Sequence, residues 1–204
     1  MPGVVQNTGS LIARAKRLVD DADKWRDAAE KVLYWASCSV KTPKASPFND
    51  KALSLVHRCF KVKDHVFDFQ VEKDISNIKK VISNVGKFFE SVKAGNGFLT
   101  LGPAKDPGDI AYAVVGGWKS GNKDGLTFVA EKCNSKSDES LTDVIMHESV
   151  HFAGGIGHAK IGNDVAYGEK AFLLSNEKAL KNASSYAYLA YLARMDHTKW
   201  LTAT

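Results

Sequence analysis

Along residues 10–36 the apolar positions Leu11, Ile12, Ala15, Leu18, Val19, Ala22, Trp25, Ala29, Val32, Leu33 and Ala36 recur every three or four residues, with charges between them. Such spacing gathers them on one stripe, which predicts one long or broken amphipathic helix ending near Cys38. Two prolines and polar punctuation over Lys41–Asp50 predict a loop, with Asn49 or Asp50 capping a second helix through Leu53, Val56 and Phe60. A third stripe runs through Ile75, Ile78, Val81, Ile82, Val85, Phe88, Phe89 and Val92. It predicts another helix, stopped at Gly95-Asn96-Gly97, where the chain can take positive φ.

After Gly97 the period changes. Phe98–Leu101, Ala111–Val115 and Leu126–Ala130 are short apolar or alternating runs between Gly, Pro, Asn and Asp clusters, and their short connections predict a small, antiparallel-rich sheet. Ser140-Leu141-Thr142-Asp143 has the form of a capping box and predicts a helix through Val144, Ile145, His147 and His151, ended by Gly154-Gly155. Further helices are predicted around Val165–Glu177 and Ser184–Met195. The fold class is therefore α+β, as a single domain over residues 1–204. Residues 1–94 form a helical half, and residues 95–204 carry the sheet and the chemistry.

With 204 residues and 44% hydrophobic composition the chain is long enough to bury one sizeable core. It contains no run of 18 apolar residues, which argues against a membrane span, and its first residues lack a basic segment followed by an apolar one, which argues against a classical signal peptide. The net charge of +5 is concentrated in residues 1–100, where 17 Lys/Arg face 11 Asp/Glu. These cations are scattered over helical faces without an aromatic ladder, so nucleic acid is not an expected partner. Cys38, Cys59 and Cys133 allow at most one disulfide, and none lies in a CxxC pair.

The chemistry concentrates in His147-Glu148-Ser149-Val150-His151. At 100° per residue, positions i and i+4 lie about 40° apart around a helix, so both imidazoles can reach one ion, and Zn²⁺ accepts neutral imidazole readily. Glu148 projects beside them, close enough to take a proton from a zinc-bound water without ligating the metal. Average composition makes a chance H-E-x-x-H rare, about one chain of this length in a hundred. A catalytic zinc needs a third protein ligand. The metzincin pattern H-E-x-x-H-x-x-G-x-x-H finds its glycine at Gly154 but wants a histidine where Gly157 stands; His158 misses by one residue and reads as a solvent-exposed loop histidine. The gluzincin pattern could use Glu169 or Glu177, and Asp164 is a further choice on a loop that could swing back over the histidines.

The combination of His147-Glu148-x-x-His151, Asp164-x-x-Tyr167-Gly168 and Asn182–Ala190 resembles the aspzincin metallopeptidases, the group of deuterolysin and peptidyl-Lys metalloendopeptidase. Leu126–Cys133 is similar to the strand-and-cysteine segment ahead of that family's motif helix, and about residues 95–195 are covered. The resemblance implies a zincin-like fold and a zinc metalloendopeptidase. It implies His147, His151 and Asp164 as ligands, Glu148 as general base, and Tyr167 as hydrogen-bond donor to the oxyanion. Its lysine-preferring members carry acids at the positions of Ser184 and Ala187, so no strict lysine requirement, and a broader or apolar preference on the primed side of the scissile bond, are expected here. The expected partner is a protein or peptide substrate. A free-standing peptidase also calls for a protein inhibitor or export machinery, so the expected location is outside the cell, by a signal-independent route or as a mature secreted fragment, and otherwise the cytoplasm. The same water activation would serve a zinc amidase acting on a cell-wall amide. A structural zinc in a non-catalytic interaction module is disfavoured because such a site has no use for Glu148.

Overall fold

A computed structural model describes residues 8–41, 47–64, 67–162 and 164–201. The first half holds α1 (Thr8–Lys41), α2 (Pro47–Phe60) and α3 (Asp68–Lys93), with a short 3-10 turn at Val62–Asp64. Then come β1 (Leu99–Leu101), β2 (Ala111–Ala113), α4 (Gly117–Ser120), β3 (Leu126–Phe128), α5 (Ala130–Cys133) and α6 (Asp138–Ser149), which runs into a π turn at Val150–Gly154. The remainder is β4 (Lys160–Ile161), β5 (Asp164–Val165), a 3-10 segment at Gly168–Leu173, α7 (Asn176–Ala179) and α8 (Ala183–Leu201). The class is α+β, as expected, and most described residues are helical.

The predicted first helix is one unbroken element, and it is the hub of the molecule. It packs against α2, α3, α6 and α8. Ala15, Ala22, Ala29 and Ala36 repeat every seven residues and are all buried, so their small side chains let neighbouring axes approach, while Leu18, Val19 and Leu33 fill the gaps between. Trp25 meets Tyr191 of α8 edge-on at 5.3 Å between centroids. Arg14 and Arg17 each reach Asp138 in the first turn of α6 at 2.7 Å, which ties the helical half to the motif helix. Both pairs are partly exposed and screened by solvent, so they orient more than they stabilise.

The sheet differs from the antiparallel expectation. Its order is β1-β3-β2, with β1 parallel and β2 antiparallel to β3. The short connections misled because consecutive strands β1 and β2 do not pair with each other. The Gly102–Ile110 loop carries β2 to the far edge, and α4 returns the chain so that β3 enters between them. At that entry Gly125 has φ +64, and a Cβ there would lie 2.1 Å from the Phe98 carbonyl oxygen, so only glycine fits. Phe98 itself takes φ +70, an uncommon conformation for a bulky residue. Its ring is held by Phe88, Trp118 and Phe152 at centroid distances of 6.0, 5.3 and 6.1 Å.

Other expectations need correction: α2 starts at Pro47, so Asn49 and Asp50 lie within its first turn and neither is its cap. The helix of the H-E-x-x-H segment starts one turn before the predicted box: Ser137 is the cap, its hydroxyl accepting from the Ser140 N–H at 3.1 Å. Asp138 and Glu139 then occupy the first turn, where carboxylates suit the helix dipole. Val165–Glu177 is not a continuous helix. Val165 pairs with Lys160 in the β4–β5 hairpin, and Gly168 at φ +56 breaks any helical run before the 3-10 segment. Gly95, Gly97 and Gly155 take positive φ at helix ends as expected. Cys59 and Cys133 are buried free thiols, and among the described residues no helix is long and apolar enough to cross a membrane.

Candidate metal site and its cleft

α6 brings His147 and Glu148 to the wall of a cleft of about 820 Å³, and the π turn adds His151. A turn closed five residues back is wider than an α turn and recurs at functional sites. Here the His151 carbonyl accepts from both Gly155, at 3.2 Å, and Gly116, at 2.8 Å, so the start of α4 is fastened to the turn. The opposite wall comes from the β4–β5 hairpin, whose pairing sets the residues at its two ends side by side. His158 lies at one end and Tyr167 at the other, with the Tyr167 hydroxyl 3.2 Å from His158 Nε2.

Asn182, fully buried, clamps that hairpin. Its Oδ1 accepts from the Ala159 N–H at 3.2 Å, and its Nδ2 donates to the Ala166 carbonyl at 3.1 Å, so one side chain spans both arms. The Ala183 N–H donates to the Gly157 carbonyl at 2.9 Å, and the Ser184 hydroxyl lies 3.4 Å from His147 Nδ1. The start of α8 thus fixes the hairpin, the glycine loop and one imidazole together.

His147, His151 and His158 offer ligand atoms that all lie within 4.8 Å of one another. These three side chains lie close enough to bind a metal ion. Their surroundings suit that role. His151 Nδ1 faces the Ile156 carbonyl at 2.5 Å and His147 Nδ1 faces Ser184, so in both rings Nε2 is left for the ion, and the two Nε2 atoms stand 3.0 Å apart. Two nitrogens on a tetrahedral zinc, each at about 2.0–2.1 Å, would be about 3.3 Å apart, so little movement is needed. Burial and the neighbouring imidazoles hold His147 well below the usual histidine range, and burial lowers His151 to about 4. Both rings are therefore neutral near pH 7, with lone pairs free to ligate.

Glu148 is largely buried beside them. Burial and the nearby Asp109 carboxylate raise it to about 8, against a hydrogen bond from the Ala113 backbone of β2 that favours the charged form. Tyr167 is 53% exposed, with its ring centroid 5.7 Å from that of His147, and it lines the same cleft. Its phenol is raised by burial and by Glu148, Asp109 and Asp106, so it remains a donor at neutral pH.

Of the residues singled out by sequence, His147, Glu148, His151 and Tyr167 come together. The Asp164 backbone lies in β5, and its side chain falls outside the described residues. The gluzincin candidates do not join the site: Glu177 pairs with Lys181 at 2.7 Å on the surface, and Glu169 is exposed and does not line the cleft. His158 is the residue that the spacing rules discarded and the structure brings in. It is exposed, as read, yet exposed toward the other two imidazoles. The signal available was its single-residue offset from the metzincin position. Compared with family models, curated proteins and solved structures, the chain gives no significant match.

Proposed function

We propose that the protein is a zinc-dependent metalloendopeptidase of zincin-like architecture, with His147, His151 and His158 as the described ligands. The observation that carries the reading is the cluster of three convergent imidazoles beside the buried Glu148 carboxylate on the wall of one cleft. Zinc held there supplies Lewis acidity and lowers the pKa of water. Beside the positive charge of zinc the raised Glu148 carboxyl would be drawn down and left ionised, so that it takes the proton of the attacking water and delivers it to the leaving amine, with the Ala113 N–H bonded to the charged form. Tyr167 donates to the oxygen that becomes negative as the carbonyl is attacked. A metal at His158 Nε2 would take the lone pair that now faces the Tyr167 hydroxyl, which turns the phenol toward substrate. β2 is an edge strand of the described sheet and lines the cleft, so an extended peptide can pair along it.

The test is elemental analysis of the purified protein together with casein and peptide hydrolysis by wild type and Glu148→Gln. Expected are one zinc per chain in both proteins and a turnover at least about a hundredfold lower in the variant, the scale for losing a general base. Equal cleavage by the two proteins, or a wild type without metal, overturns the reading.

A further inference from the structure

Next to the cleft lies a second concavity of about 370 Å³, within the range of small-ligand pockets. Asp143 and Tyr188 line both, so the two adjoin. Asp143 stands one helical turn before His147 and Glu139 one turn before that, which puts both carboxylates on the helix face that leads to the metal ligands. Trp25 and Tyr191 complete the walls. The aromatic side is ordered: Trp25 meets Tyr191 at 5.3 Å, and Tyr188 meets Tyr191 at 6.4 Å.

The charges here are unbalanced. Glu139 and Asp143 are like charges at i and i+4, an arrangement that costs stability unless a cation joins it. No lysine or arginine lines the pocket; Glu139 accepts a hydrogen bond from the Tyr191 phenol, and among the described residues neither carboxylate has an ion-pair partner. Burial and Glu139 push the Asp143 carboxyl up to about 6, and burial with these two carboxylates raises the Tyr191 phenol, so the pocket is short of positive charge.

We infer that this pocket is a specificity subsite for the guanidinium of a substrate arginine, held by the Glu139 and Asp143 carboxylates and flanked by the rings of Trp25, Tyr188 and Tyr191. The inference rests on the peptidase reading of the adjoining cleft. Guanidinium suits the lining better than ammonium does. It is planar, weakly hydrated and able to stack on aromatic faces while its forked N–H groups meet carboxylates. An apolar side chain would strip water from both carboxylates and return nothing. The acids that lysine-preferring aspzincins carry at the positions of Ser184 and Ala187 are absent here, and the Ser184 hydroxyl lies 3.4 Å from His147 Nδ1; the carboxylates sit on α6 instead.

Binding can be read apart from turnover by titrating the intact protein with N-acetyl-argininamide and with N-acetyl-norleucinamide, while following the Trp25 indole resonance, assigned through Trp25→Phe. Expected is a saturable shift with the arginine probe, at least about tenfold weaker with the norleucine probe, and weakened about tenfold or more in the Glu139→Gln/Asp143→Asn protein. Cleavage of a peptide library should in parallel favour arginine at one fixed position relative to the scissile bond. Equal binding of the two probes, or arginine binding that survives the double substitution, overturns the subsite. Arginine binding without hydrolysis of any peptide keeps the subsite and removes the peptidase reading. Hydrolysis without arginine binding or preference does the reverse.

Discussion

Replacing Asp143 with asparagine should make the protein more stable at neutral pH, and the size of the gain follows from its setting. The side chain is half-buried between two cavities, and its carboxyl is raised from 3.8 to about 6 by burial and by Glu139. A raised carboxyl means that the native state holds this proton more tightly than the unfolded chain does. Its stabilising contribution is complete below pH 3.8 and is lost as pH rises through 6. About two units at 1.36 kcal/mol each give about 3 kcal/mol as an upper bound. Water reaches the group from both cavities, and screening reduces this to about 1–2 kcal/mol. Asparagine keeps the shape and removes the charge. For a chain of this size the gain corresponds to about 2–8 °C in melting temperature. Thermal and urea unfolding of both proteins at pH 7.5 and pH 4, at matched metal loading, measures it. The expected result is a more stable variant at pH 7.5 and near-equality at pH 4. A variant that is less stable at pH 7.5, or a difference that ignores pH, refutes the argument.

His158→Ala should lose most bound zinc by elemental analysis; full retention in that variant with loss in Asp164→Ala would make the aspartate the third ligand. Asn182→Ala orphans the buried Ala159 N–H and Ala166 carbonyl, at about 1–3 kcal/mol for each group, and by loosening the hairpin it should lower metal affinity measured by chelator competition. Gly117→Ala would set a Cβ 2.5 Å from the ring of the fully buried Phe152, and urea unfolding should show a loss of about 1–3 kcal/mol from overpacking.

The helical half was readable because its stripes are long, and each buried position recurs often enough to define a face: α1 and α3 lie where Leu11–Ala36 and Ile75–Val92 put them. The sheet was less readable, since strands of three residues reveal existence but not partners; a 24-residue excursion between Leu101 and Leu126 decides that β1 and β3 run parallel. His147, Glu148 and His151 were legible because one helix fixes their geometry locally. His158, Asn182 and the pocket of Trp25, Glu139 and Tyr191 were not, because each acquires meaning only through a neighbour distant in sequence. Trp25 looked like one more core residue of α1 until α8 placed Tyr191 against it.

The glycine loop after the π turn at Val150–Gly154 also changes what a residue count means. Six residues separate His151 from His158 where the H-x-x-G-x-x-H arrangement has five, and Gly154 still occupies the glycine place. The surplus residue falls just after the turn, in Gly155–Gly157, where Gly155 takes φ +71, and His158 still arrives within reach of the other two imidazoles. Counted along the chain it is out of step; followed along the backbone path it is in phase.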